Sequence, residues 1–262
     1  MKLGFKHIWP VLLLVGCGPK ITSSKVWQGQ RKAAICLTYD DGMQSHLDVA
    51  IPQLDRLGLR GTFYLNTVKE RDNILGWKAA ARAGHELGNH SLFHPCPNSF
   101  GWPKELTTEN YTVADILKEI EAVNHLLKNL DPNRKRFSYA YPCNNTEVGS
   151  KSYIVPLKKS GLIQYARGGG KTPIVTTDFD NLNRMHVYSW AVPEGTTAAA
   201  LIAFAQKAKQ DGGLAVFQFH GVDGEWIKVS GEAHEKLLEF LSDNASEYWV
   251  APFSEIMDHL YR

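Results

Sequence analysis

The sequence has little of what would mark several large protein classes. Four cysteines in 262 residues are too few for a fold built on disulfides. No extended basic run is present, and 29 lysines and arginines barely exceed 27 acids. Proteins that neutralise nucleic-acid phosphates carry a basic patch or stripe, so no nucleic-acid partner is expected. There is no internal repeat, and no linker interrupts the chain after residue 32. Charged residues make up 21% and hydrophobic residues 44%. That balance excludes a disordered, collagen-like or coiled-coil chain. It leaves a globular protein with one large core or two small ones.

Lys2 and Lys6 give the chain a positive start, and an apolar stretch runs from Ile8 to Val15, broken by Pro10. The stretch is too short to span a bilayer but suits the apolar core of an export signal. It ends in Leu14-Val15-Gly16-Cys17, which resembles the bacterial lipoprotein signal, where the Cys becomes the lipidated first residue. An ordinary cleaved signal with an incidental Cys is the alternative. On the lipoprotein reading, 1–16 is the signal, Cys17 the lipidation site, 17–32 a tether and 33–262 one domain. The protein is then exported to the bacterial cell envelope and meets the membrane only through its lipid. Lys2 and Lys6 are the charged residues of the signal, so its removal leaves 27 basic against 27 acidic residues.

From residue 33 short apolar runs alternate with amphipathic ones. Strands are expected at 33–39, 61–65, 85–88, 137–141, 163–167, 187–190, 214–219 and 249–250. Helices are expected at 46–57, with Pro52 as a kink or late start, and at 75–83, 112–130, 197–209, 231–241 and 253–260. Leu214 to Phe219 is a continuous apolar run, as a parallel strand covered on both faces requires. Repeated β-α units predict an α/β fold with a parallel sheet, closed into a barrel or open and doubly wound.

Chemistry in such folds sits where strands end. The first strand runs into Asp40-Asp41-Gly42. Adjacent carboxylates point in different directions, so one can bind a metal while the other faces a reacting water as base. The same three residues also make an ordinary turn. His90 and His94, four apart after the third strand, can converge on one ion. Asp41 is the candidate third ligand, and two imidazoles with one carboxylate suit zinc, or cobalt or nickel. His220 follows the run Leu214 to Phe219 and is placed for acid-base work, although a structural His is the commoner case.

Together these residues resemble the polysaccharide deacetylase family (the NodB homology domain, carbohydrate esterase family four). Thr38-Tyr39-Asp40-Asp41-Gly42, His90-Ser91-Leu92-Phe93-His94-Pro95, Tyr141-Pro142-Cys143 and Phe217-Gln218-Phe219-His220 stand in that family's order. The resemblance implies an irregular (β/α) barrel of about seven parallel strands. It implies a metal-dependent hydrolase that removes acetyl groups from acetylated polysaccharide or oligosaccharide with one divalent ion. Asp40 would be the general base, His220 the general acid, and Asp41, His90 and His94 the metal ligands. Tyr141 and Pro142 would belong to an oxyanion-binding loop with a backbone N–H donor. The family commonly carries an Arg where this chain has Ala140, and Arg167 is the preferred substitute over Arg136. Cys143 and Asn144 also depart from the family's pattern, which marks a divergent branch.

The substrate stays open between O-acetyl groups on xylan-like polymers and N-acetyl groups on hexosamine glycans. A non-catalytic glycan-binding lipoprotein and an amidase acting on a non-sugar amide are the alternatives. Trp190, at a strand end, is a candidate sugar-stacking residue, with Trp102 and Tyr141 of similar standing. Gly168-Gly169-Gly170 reads as a flexible loop, since no phosphate-loop Lys follows. Cys36 reads as a buried strand thiol. Cys96 and Cys143 adjoin the site motifs as a disulfide or as two free thiols. His46 reads as a helix-start or rim residue.

Overall fold

Seven parallel strands close into a barrel. They are β1 (Ala33–Asp40), β2 (Thr62–Leu65), β3 (Glu86–Asn89), β4 (Ser138–Ala140), β5 (Tyr165–Gly170), β6 (Val187–Ala191) and β7 (Leu214–Phe219). Each pairs with the next, and β7 returns to pair with β1 along Ala34 to Tyr39. An eighth strand, β8 (Tyr248–Val250), pairs with the first half of β1 on the edge whose second half takes β2. The expected α/β class therefore takes its closed form. The structure is a computed structural model that describes Met1, residues 27–66 and residues 73–262. Cys17 and the rest of the expected signal after Met1 lie outside the described residues.

Side-chain alternation explains why β1 is buried at every position. Ala33, Ile35, Leu37 and Tyr39 belong to the core between sheet and helices. Ala34 and Cys36 belong to a second core, with Val187, Leu214 and Val216, inside the barrel. Trp27 and Phe253 pack in that second core and close the end of the barrel away from Asp40. Cys36 is buried and unbonded, as expected. Toward the other end the buried residues turn polar: Thr38, Asp40, Arg167, Ser189 and Gln218.

Among the described residues the α-helices are α1 (Ile51–Arg56), α2 (Ile74–Arg82), α3 (Val113–Leu130), α4 (Ile154–Ser160), α5 (Ala198–Asp211), α6 (Gly231–Asp243) and α7 (Phe253–Leu260). A π-turn over His46–Ala50 leads into α1, and Pro52 falls in the first turn of α1, where its missing N–H costs nothing. α3 begins with a reciprocal cap. The Asp115 N–H donates to Thr112 Oγ1 at 3.2 Å, and the Thr112 N–H donates to Asp115 Oδ2 at 3.0 Å. Among the described residues no helix is long and apolar enough to cross a membrane.

Two expectations change here. Gly168, Gly169 and Gly170 are not a flexible loop; they continue β5, paired with Tyr188, Ser189 and Trp190. The reason is space: a Cβ on Gly169 would lie 2.5 Å from Gln218 Oε1 and 2.6 Å from Ser189 Oγ. The last residues of the expected tether are also part of the packed unit. Trp27 is buried and donates from Nε1 to Gly212 O at 3.2 Å. Arg31 Nε donates to Ala245 O at 2.8 Å.

Candidate active site

β1 delivers the two carboxylates. Asp40 is its last residue, with the side chain on the interior face. Asp41 has φ +75°, a left-handed backbone that turns its carboxylate off the strand axis. The sequence needs this twist to give neighbouring aspartates separate tasks.

β3 delivers the histidines. His90 follows Asn89, and the His90 Nδ1–H donates to Ala140 O at 2.8 Å. That bond fixes the tautomer, so Nε2 carries the lone pair. His90 Nε2 lies 3.1 Å from His94 Nε2 and 3.7 Å from Asp41 Oδ1. His94 Nε2 lies 3.5 Å from Asp41 Oδ1. Burial, and next the neighbouring His90, lower the His94 pKa to about 4. A neutral imidazole is the form that binds a metal. Two imidazole nitrogens and a carboxylate oxygen converging in a buried pocket are the donor set of a divalent transition-metal site. The residues fit such an ion.

Several supports were invisible in the motifs. Asn66, just past β2, donates from Nδ2 to Asp41 Oδ1 at 3.2 Å. Glu119 on α3 accepts from the Leu92 and Phe93 N–H groups at 3.1 and 3.0 Å, fixing the turn between the histidines. Its signal in the sequence was an acid on the same helical face as Ile116, Ile120 and Val123. His46 is the third, and it corrects the rim assignment: it is fully buried. His46 Nδ1 accepts from the Met43 N–H at 3.2 Å, so Nε2–H donates to His220 O at 2.8 Å. It clamps the aspartate loop to the His220 loop, and burial lowers its pKa to about 4.

Arg167 is fully buried. Its Nη2 donates to Asp40 Oδ1, and its guanidinium lies over the Tyr64 ring, 4.7 Å from the centroid. Asp40 Oδ2 stays on the side of His90, 3.8 Å from Nε2. Burying either charge alone would be costly, and each compensates the other. His220 leaves β7 one residue after Phe219, which pairs with Tyr39, so it stands level with Asp40. Its Nδ1 is buried and has no hydrogen-bond partner among the described residues.

The structure thus brings Asp40, Asp41, His90, His94, Arg167 and His220 to one end of the barrel. The remaining candidates do other work. The Tyr141 N–H donates to Arg167 O at 3.1 Å and its hydroxyl to Met185 O at 2.7 Å. Pro142 has no N–H, so any backbone donor in that loop comes from beyond it. Trp190 is buried against Phe204 and Phe217, with Nε1 bonded to Lys171 O at 3.1 Å; it is core. Trp102 is half-exposed and stacks on His94, with centroids 5.4 Å apart. Cys96 and Cys143 form a disulfide that ties the loop after β3 to the loop after β4.

At one end of a closed seven-stranded parallel barrel, an arginine-bound carboxylate thus lies beside three converging candidate ligands. The family described as polysaccharide deacetylase matches residues 28–153, the part of the chain that carries Asp40, Asp41, His90 and His94, and the solved structures like it are similar at low identity. The peptidoglycan deacetylase PdaC from Bacillus subtilis is 16% identical, with 87% of this chain and 91% of that one covered and a TM-score of 0.56. The Xyl-CE4 domain of a multidomain xylanase, from the hindgut metagenome of Trinervitermes trinervoides, is 17% identical. It covers 86% and 90% of the two chains with a TM-score of 0.55. BA3943 from Bacillus anthracis, a family-four pseudoenzyme, is 17% identical over 87% and 66%, with a TM-score of 0.55. These likenesses establish the fold. A gellan lyase of Bacillus sp. is 22% identical over 171 residues, and the chain spans 6% of that protein's length.

Proposed function

We propose that this protein is a metal-dependent hydrolase that removes acetyl groups from carbohydrate. The observation that supports it is the pairing of Arg167 with Asp40 next to the Asp41, His90 and His94 cluster. A family-four barrel can also be a pseudoenzyme, as BA3943 is, so the fold alone does not argue for activity. A glycan-binding module would need neither a buried base nor three converging ligands.

Asp41 Oδ1, His90 Nε2 and His94 Nε2 would hold the ion. When bound, it would supply Lewis-acid polarisation of the acetyl carbonyl and make a water easier to deprotonate. Asp40 acts as general base through Oδ2, while Arg167 occupies Oδ1 and fixes the carboxylate plane. His220 gives a proton to the departing hydroxyl or amine. His46 keeps the His220 backbone in register with the aspartate loop. Zinc is the favoured ion from the mixed imidazole and carboxylate set, with cobalt or nickel able to replace it.

O-acetyl esters on xylan-like polymers and N-acetyl groups on hexosamine glycans use the same set of groups. One similar protein is a peptidoglycan deacetylase and another a domain of a xylanase, and both classes belong in the test. Acetate release is measured on O-acetylated and N-acetylated glycans, with and without chelator. Release that chelator stops and zinc restores is expected from one class. Release from neither class would favour the glycan-binding reading, and release from a non-sugar amide alone would favour the amidase. The reading also takes the protein as exported and lipid-anchored at Cys17. Cys17→Ser should then free it from membranes, and a variant that stays bound would remove the anchor.

A further inference from the structure

His94 works in two directions. Its Nε2 faces His90 and Asp41. Its Nδ1 lies 3.5 Å from Cys96 Sγ, and that sulfur is bonded to Cys143. A ring nitrogen of His94 and both sulfurs fall within 4.8 Å of one another. A tetrahedral ion held by thiolate at about 2.3 Å and imidazole at about 2.0 Å sets sulfur and nitrogen about 3.6 Å apart. The Nδ1 to Sγ spacing already has that value. Trp102 stacks on the ring at an interplanar angle of 28°, and the His94 N–H donates to Ser91 Oγ at 3.1 Å. Both contacts keep the two nitrogens on their two sides.

We propose that opening the Cys96–Cys143 bond creates a second metal site, formed by Cys96 Sγ, Cys143 Sγ and His94 Nδ1, which competes with the Asp41, His90 and His94 site. A dithiol reductant opens the bond. Two electrons pass to the protein, the dithiol leaves as its own disulfide, and two protein thiols form. A divalent ion then displaces the two thiol protons to solvent. Two thiolates and an imidazole with an open fourth position are a known zinc donor set. A neutral imidazole has one lone pair. If Nδ1 takes the ion, the ring proton sits on Nε2, facing Asp41 and His90, and the first cluster keeps two ligands. The barrel thus holds two sites that share one histidine, and the sulfur bond selects between them. The ion-binding step stands on these three side chains; only its effect on turnover rests on the hydrolase reading.

Cobalt(II) is the probe. The protein is reduced with a phosphine, the phosphine is removed without oxygen, and one equivalent of cobalt(II) is added. A thiolate-to-cobalt charge-transfer band is expected in the reduced protein and absent from the oxidised one. The band should vanish as an oxidant re-forms the bond. A reduced protein that binds cobalt without the band overturns the proposal. A band that persists in the Cys96→Ser, Cys143→Ser double variant does so too, by assigning it to other thiols. The reversible signal in the unaltered chain decides the matter should the variant not fold. Acetate release on the same samples should fall at least tenfold on reduction. Unchanged release with the band present would overturn the competition. No release from the oxidised protein would instead count against the hydrolase reading, leaving the spectroscopic result to stand.

Discussion

Ala140 and Arg167 are register partners on neighbouring strands β4 and β5. A side chain from either position enters the same part of the barrel, because paired residues of parallel strands point to the same face. Arg167 uses this to reach Asp40 from β5, one strand over from Ala140, where the resemblance would put an arginine.

This relationship can be exercised directly. Arg167→Ala should lower acetate release by about 10²-fold or more, the order expected when a general base is misplaced. It should also destabilise the fold by about 3–5 kcal/mol, since Asp40 is left buried without its partner. Adding Ala140→Arg to Arg167→Ala should recover at least tenfold of the lost activity. Steady-state kinetics and urea denaturation on both variants check this, and a double variant no better than the single would oppose the swap.

The base and the metal ligands should separate by function. Asp40→Asn should reduce turnover by about 10²–10⁴-fold while bound zinc remains at one per chain. His90→Ala should lose metal at equal zinc concentration. Elemental analysis after desalting, beside acetate release, distinguishes base from ligand; an Asp40→Asn protein that stays fast would remove Asp40 from the mechanism.

His46 should behave as a positioning residue. His46→Phe removes the acceptor for the Met43 N–H and the donor to His220 O, each unmade buried bond costing about 1–3 kcal/mol. Turnover should fall about tenfold or more with KM and metal content little changed. His46→Gln keeps a donor at the Nε2 position and should retain more activity. Equal loss in both variants would reduce His46 to a packing role.

Stability should depend on pH through the buried histidines. Burial lowers the pKa of His46 to about 4 and that of His234 to about 3, from an ordinary value of about 6.5. Above pH 6.5 both are neutral whether folded or unfolded. Below it the unfolded chain takes up protons that the folded chain refuses, so stability falls as pH drops toward 4. The loss is on the order of 3 kcal/mol for His46 over that span. Urea midpoints of metal-free protein at pH 7.5 and 5.0 should differ in that direction, and His234→Asn should shrink the difference.

Much of the fold is legible because its local patterns are strong. The apolar run of Ala33 to Tyr39 and the helical stripe from Ile116 to Leu130 are local, and local patterns survive packing. Gly168 to Gly170 defeats that reading. Glycine has poor strand propensity, and these residues are strand because Ser189 and Gln218 leave no room for side chains on the inward-facing one. His46 fails likewise, since nothing local shows that Met43 and His220 will supply its two partners.

The chain order alone determined the carboxylate pair at the end of β1, the histidines four apart and the histidine after the last apolar run. These follow from residue type and spacing, which chemistry reads directly. Tertiary structure decided what closure brings together. It set Arg167 on Asp40, Asn66 on Asp41, Ala140 O on His90 and Cys96 against both His94 and Cys143. These partners lie 25 to 127 residues apart in most cases; the Cys96 and His94 contact is the short-range exception. A buried polar atom takes whatever partner the barrel carries to it, and the register of strands, rather than sequence spacing, fixes which one that is.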